Sequence, residues 1–249
     1  MLENCRVVLM RPRIAANLGA TARVMRNMGL RDLVLVAADA DPLDPEARKL
    51  STHGEDILRR ARLVSDLGQA VADCVLVAAT SARTGGLFRR QSVGPPEEII
   101  PRLAQEMVRS PVALVFGPEA TGLTNAEVAC CHYLIHIDAD PGYPTLNLAQ
   151  AVAICLYELR RAWLRKTKNE TSEVSETSEV CPMAMQERMF ADLRAALEDI
   201  HFLYGPKADS LMHALRHLIG RAKPSQMEVE VLLGLARQIR WYVEHHRES

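Results

Sequence analysis

Apolar positions along the first 165 residues follow two rhythms. Short continuous runs, RVVLM (6–10), DLVLVA (32–37), CVLVAAT (74–80), VALVFG (112–117) and YLIHI (133–137), read as strands covered on both faces. Between them lie helix-period segments. NLGATARVMRNMG (17–29) has Asn17 in position to cap and Gly29 to stop it, and PPEEIIPRLAQEMVR (95–109) opens on prolines and acids, as a first turn prefers. TNAE (124–127) has the form of a capping box, and an apolar-faced helix runs from Leu146 to about Arg165. Strands alternating with helices predict an α/β fold with a parallel sheet, whose ligands bind at the carboxyl ends of the strands.

The pattern then breaks. TKNETSEVSETSEV (167–180) repeats polar units without apolar periodicity and reads as a flexible acidic linker. Beyond it, 183–204, 208–222 and 225–246 read as three helices, the last opened by SQME, a second capping-box pattern from Ser225 to Glu228. The expected organisation is a main α/β domain over 1–166, a linker over 167–182 and a small all-helical extension over 183–249, too short to bury much core alone.

Composition narrows the classes. The chain has 249 residues, 48% hydrophobic and 24% charged, enough for one large core or a domain with an appendage. No apolar run approaches the roughly 18–20 residues of a membrane span, and MLENCRVVLMRPR lacks the pattern of a secretory signal. No membrane association is expected, and the expected location is the cytoplasm. Six cysteines form no C-x-x-C pair and read as reduced, packed thiols. His213 and His217 stand four apart on a helix without an obvious third ligand, and His132 and His136 lie in a strand-like run, so no metal is expected. Residues 1–168 carry 21 Lys+Arg against 18 Asp+Glu, a mildly basic body that permits a polyanion partner without demanding one. Aromatics are only 4%, which argues against a base-stacking platform of the single-strand-binding kind.

Three segments at strand ends carry candidate chemistry. MRPR (10–13) runs into the 17–29 helix, on which Asn17, Ala20 and Arg23 share a face; polar and basic groups at such a helix start suit a phosphate or ribose. FGPEATGL (116–123) places Glu119 in a glycine-bounded turn that is neither a Walker A loop nor a dinucleotide fingerprint. YPTLNLAQAV (143–152) leads into a helix whose inner face, Ala149, Val152, Ala153 and Leu156, is small and apolar, with Asn147 and the amides near Leu146 free for an adenine or a carboxylate. Each alone is equally a structural turn or a capped helix.

Together, in this order and spacing, the three resemble the motifs of the SpoU branch of the SPOUT RNA methyltransferases, over about residues 4–165. ATSAR (79–83), LVFGPEATGLTNAE (114–127), CHYLIHI (131–137), LYELRRAWL (156–164) and LRHLIGRAKPSQMEVEVLLGL (215–235) are most similar to its TrmJ subfamily. The resemblance implies a sheet whose C-terminal portion is tied into a trefoil knot, an S-adenosylmethionine cofactor and a homodimer. It implies a tRNA substrate methylated on the ribose 2′-hydroxyl of nucleotide 32. It places Arg23, Asn17, Glu119 and Asn147 in the catalytic centre and Thr80, Ser81, Ala82, Gly117, Ile137, Thr145, Leu146 and Asn147 around the cofactor. Arg11, Arg13, Arg26, Arg83, Arg89 and Arg90 cluster about these loops as RNA contacts. Thr145 departs from the subfamily's usual serine and keeps the hydroxyl. The rivals are an rRNA 2′-O-methyltransferase, a silent RNA-binding paralogue and, in another class, a dinucleotide-dependent oxidoreductase, disfavoured by the missing glycine fingerprint.

Overall fold

The computed structural model describes residues 2–82, 93–169 and 181–246. They fall into two compact units, 1–174 and 175–249.

The first unit is built on seven parallel strands: β1 (Cys5–Met10), β2 (Asp32–Val36), β3 (Arg62–Val64), β4 (Leu76–Thr80), β5 (Val93–Gly94), β6 (Val112–Phe116) and β7 (Tyr133–Ile135). Their order across the sheet is β3-β2-β1-β6-β4-β7-β5, and every pairing is parallel. The five expected strands are all present. The two additional ones, β3 and β5, are edge strands of three and two residues; RLV is mostly exposed, so neither leaves an apolar run to read. The central β1 and β6 are buried at every position, as strands covered on both faces must be.

Seven helices accompany the sheet: α1 (Ala15–Met28), α2 (Pro45–Ser51), α3 (Glu55–Arg59), α4 (Leu67–Val71), α5 (Pro96–Glu106), α6 (Asn125–Ala129) and α7 (Leu148–Asn169). α1 packs on α2 and α7, and α5 on α7. Gly29 ends α1 in the left-handed conformation, φ 85°, as expected. The start of α1 is a correction. The helix begins at Ala15 with Ile14 as its N-cap, so Asn17 lies inside the first turn and its side chain is free for other work. α7 continues to Asn169, three residues into the expected linker, and 170–180 lie outside the described residues.

Where α1 meets its neighbours, two glycines replace side chains with backbone. A Cβ on Gly19 would stand 2.2 Å from the Ala47 carbonyl oxygen, and one on Gly54 would stand 2.6 Å from that of Ala22 and 3.1 Å from the Arg23 nitrogen. Only glycine permits this approach, so α1 is seated against α2 and the turn after it, next to Arg23.

The second unit contains α8 (Met183–Asp199), α9 (Ala208–Ala222) and α10 (Gln226–His246). Small as it is, it has its own core: Cys181, Met189, Phe190, Leu193, Ala196, Leu203, Met212, Val229, Leu233 and Ala236. Ser225 and Glu228 make the expected reciprocal cap of α10, with Ser225 N–H donating to Glu228 Oε2 at 2.8 Å. Among the described residues no helix is long and apolar enough to cross a membrane.

Candidate active site

Neighbours of β1 in the sheet are β2 on one side and β6 on the other, so the chain's strand order reverses between β1 and β6. Crevices form at the carboxyl edge at such a point. Register puts the strand ends level, with Leu9 beside Phe116 and Met10 beside Val36. The loops leaving β1 and β6 therefore emerge side by side.

A chain of side-chain amides crosses this point. Asn147 directly precedes α7, and its Oδ1 accepts the Ala149 N–H at 2.8 Å, while Gln150 Oε1 accepts the Asn147 N–H at 3.2 Å. That fixes the Asn147 amide: its Nδ2 faces away from the helix and donates to Asn17 Oδ1 at 2.9 Å. Asn17 in turn donates from Nδ2 to Glu119 Oε1 at 2.8 Å. Each amide orientation is dictated by the one before, and the series ends on a carboxylate, which can only accept. Asn17 is buried, at 5% exposure, while Glu119 is half-buried and Asn147 exposed, so the network is desolvated at its centre. It brings together Asn17 from the first turn of α1 with Glu119 and Asn147 from two separate loops.

The network is incomplete on one side. Glu119 Oε2 is buried and has no hydrogen-bond partner; among the described residues only Thr21 Oγ1 and Asp56 Oδ1 share that state. A buried carboxylate oxygen without a donor costs free energy, and a donor from a bound ligand would satisfy it. Arg23, two turns along α1, is exposed and forms no hydrogen bond or ion pair among the described residues.

The residues expected around a cofactor lie on strands adjacent in the sheet. Thr80, Ser81 and Ala82 end β4, Gly117 follows β6, and Ile137 follows β7. Ser81 N–H donates to the Ile135 carbonyl at 3.0 Å, and the Ser81 carbonyl lies 3.1 Å from His136 Nδ1, which must carry the proton since a carbonyl only accepts. His136 thus ties the β4 and β7 ends together. Thr145 and Leu146 lie on the approach to α7, Thr145 exposed. The backbone amides of Ile137, Thr145 and Leu146 have no partner among the described residues. Gly117 also has a duty within its own loop. A Cβ there would stand 2.7 Å from the Leu123 nitrogen and 2.8 Å from the Gly122 carbonyl carbon, so the glycine lets the loop fold onto itself.

The expected RNA arginines divide. Arg13 is exposed and only loosely near Asp39, at 3.5 Å. Arg26 sits 3.5 Å from Asp56, which also takes Arg31 at 3.4 Å. Arg11 is paired: its guanidinium is engaged two-pronged by Glu127, with Nη2 donating to Oε2 at 3.0 Å, and its side chain keeps 35% exposure. Arg83, Arg89 and Arg90 lie outside the described residues. Burial disfavours charge on Glu127, yet the Arg11 guanidinium and the Thr124 amide hold its carboxyl below the usual range. Glu127 is legible in sequence only as a capping-box acid; its second partner is 116 residues away and leaves no local signal. Gly54 is likewise missed, in a stretch of STHG that reads as a plain turn.

The histidine pairs have packing roles. The Val77 amide donates to His132 Nδ1 at 3.1 Å, and the Nε2 atoms of His213 and His217 lie 2.8 Å apart. All six cysteines are free thiols, and burial pushes Cys74 and Cys155 up to about 12.

Comparison with known proteins places this geometry. The model of the SpoU rRNA Methylase family matches residues 4–157, and that of the tRNA methyltransferase TrmJ C-terminal domain matches residues 184–248. The tRNA (cytidine/uridine-2'-O-)-methyltransferase TrmJ of Citrobacter koseri is 39% identical over 241 residues, which is 96% of this chain and 97% of that protein. The crystal structure of TrmJ from Z. mobilis ZM4 superposes with a TM-score of 0.77 at 29% identity, covering 94% of this chain and 98% of that one. An AdoMet-bound rRNA methyltransferase from Sinorhizobium meliloti superposes at 0.51 with 26% identity, over 63% of this chain and 56% of the other. The chain belongs to the SpoU methylase family, in the branch that carries the TrmJ C-terminal domain.

Proposed function

We propose that this chain methylates the 2′-hydroxyl of a ribose in tRNA, at nucleotide 32 of the anticodon loop, with S-adenosylmethionine as donor. The observation that carries the reading is the Asn147–Asn17–Glu119 network at the strand-order reversal, closed on one side and short of a donor on the other, with Arg23 on the same helix as Asn17 exposed and unpaired among the described residues. The similarity to tRNA 2′-O-methyltransferases over both units favours tRNA as substrate over rRNA.

Residues of this chain fit the cofactor. The three unpartnered amides of Ile137, Thr145 and Leu146 match the acceptor atoms of an adenosine, and the Thr80–Ala82, Gly117 and Thr145–Asn147 loops would hold it. When bound, the cofactor supplies an electrophilic methyl group on a sulfonium. The protein's task is then alignment and charge. Arg23 serves as an electrostatic group: it holds the adjacent phosphate and stabilises negative charge developing on the ribose oxygen, whose proton passes to solvent as the methyl bond forms. Asn17 holds the Glu119 carboxylate in place, and Asn147 holds Asn17 while anchoring α7. The working unit in this proposal is a homodimer in which Arg23 acts beside the partner's cofactor; exposed Ile154, Tyr157 and Leu164 leave an apolar stripe on α7 suited to a second copy.

The test is transfer of labelled methyl from S-adenosylmethionine to separate tRNA and rRNA pools, with the product resolved by nucleoside mass spectrometry. A 2′-O-methyl nucleoside from tRNA alone, mapped to position 32, is expected. Label in rRNA alone, or a base methylation, overturns the assignment.

A further inference from the structure

Arg11 ends β1 with a φ of 46°, a left-handed conformation that a residue with a side chain rarely adopts. Such a conformation persists only where its surroundings hold it. Here two contacts do so. The Arg11 amide donates to the Val36 carbonyl at 2.8 Å, and the guanidinium grips both oxygens of Glu127. Glu127 is simultaneously the N3 residue of the α6 capping box, with Oε2 accepting the Thr124 N–H at 2.8 Å and Thr124 Oγ1 accepting the Glu127 N–H at 3.3 Å. One carboxylate thus fixes both the start of α6 and the end of β1.

Those two places bound the segments that must meet in the site. Gly117–Leu123, which carries Glu119, is held at its far end by α6; residues 12–16, which lead to Asn17, begin at Arg11. The Asn17–Glu119 hydrogen bond is a second link between the same segments. Its geometry depends on the first, because the loop spans only from Phe116 to Thr124 and is pinned at the Gly122 amide to the Pro118 carbonyl, 3.0 Å. We propose that Arg11 and Glu127 form a clamp that sets the Glu119 loop against the head of α1, making Arg11 a positioning residue for methyl transfer rather than an RNA phosphate contact. The proposal rests on the function assigned above, and it differs from that assignment in what it predicts for salt dependence and for Glu127.

Substitution of either partner tests it. Glu127→Gln keeps the cap, since glutamine serves in the same box, and removes only the charge held by Arg11. Arg11→Ala removes the other half. On unmodified tRNA transcripts, each variant is expected to lower kcat by about 10- to 100-fold while leaving KM for tRNA and its salt dependence unchanged. The double variant should be no slower than the worse single one, because both remove the same link. The swap Arg11→Glu with Glu127→Arg should recover part of the loss relative to Arg11→Glu alone. A second readout does not need turnover: amide exchange at Gly122 and Val128 should speed by about 10-fold in both single variants, with β1 and β6 amides unchanged. A raised KM for tRNA with a flattened salt dependence in Arg11→Ala, alongside full activity in Glu127→Gln, would make Arg11 a phosphate contact and overturn the clamp. Unchanged exchange in both variants overturns it as well. If the wild-type chain transfers no methyl to tRNA, the assigned function falls, and the exchange measurement alone decides the clamp.

Discussion

At its amino end, β1 carries Arg6, and one residue past its carboxyl end it is followed by Arg11; the two arginines differ in what surrounds them. Arg6 is buried and saturated: Nε donates to Asp32 at 2.7 Å, Nη1 to Asp73 at 2.6 Å and to the Ala70 carbonyl at 2.7 Å, and Nη2 to Asp73 at 3.0 Å. Around Arg11 the backbone is in a left-handed conformation, Glu119 Oε2 in the loop after β6 lacks a donor, and Arg23 projects without a partner among the described residues. One end of the sheet spends its polar groups on each other and serves stability. The other leaves groups unsatisfied, and that incompleteness is where the proposed chemistry is placed.

The largest effect that would sharpen this contrast comes from Asn17→Ala. It leaves Glu119 Oε1 without its donor as well as Oε2, and disconnects Asn147. Transfer should fall by about 100-fold and stability by about 1–3 kcal/mol, checked by initial rates and by urea unfolding. A variant with normal rates would mean the amide network only holds the loops. At the opposite end, Arg6→Met should do the reverse. Removing a buried partner destabilises by about 3 kcal/mol, at the low end because the Asp73 side chain is 56% exposed and can be rehydrated. The rate per folded molecule should be unchanged, so a loss of kcat would break the division between the two ends.

Gly54→Ala acts between these. The new Cβ must displace the Ala22–Arg23 backbone or its own turn, costing about 1–3 kcal/mol and, through a sub-ångström shift of Arg23, about 10-fold in transfer. The thermal midpoint and the single-turnover rate should fall together.

How much of this contrast could be read from the chain depends on range. β1, β2, β4, β6 and β7 are visible because buried parallel strands are apolar at every position, and α1, α5 and α7 because their faces recur at helical spacing. Edge strands β3 and β5 are too short to show a pattern, and α2 to α4 are five to seven residues long with little periodicity. In the site, Asn17, Glu119 and Asn147 are legible as members of three motifs that resemble a family. Their hydrogen-bonded order is not, since it spans separations of 102 and 130 residues. Reading Asn17 as a cap followed the local rule, but the helix starts earlier and releases the side chain into the network. The partner of Arg11 is hidden for the same reason, since its carboxylate lies 116 residues away.

The smallest expected effect is on pH. Because the folded Glu127 carboxyl lies below its ordinary value of 4.5, the unfolded chain binds a proton first as pH falls. The stability contributed by this group is present above about pH 4.5 and is lost as the pH drops through the lowered folded value. Unfolding free energy measured from pH 6 to 3 should therefore fall less steeply in Glu127→Gln than in the wild type. Parallel curves would mean that the pair adds nothing to stability.

The central claim is that the incomplete end of the sheet performs methyl transfer, with Arg23 supplying charge and the surrounding loops holding the cofactor. Its most direct measurement is Arg23→Ala, with S-adenosylmethionine titrated by calorimetry and methyl transfer to tRNA followed in the same preparation. The account predicts cofactor affinity within about 3-fold of wild type and transfer reduced by more than about 100-fold. Transfer at the wild-type rate, or cofactor binding that collapses with the arginine, would contradict it.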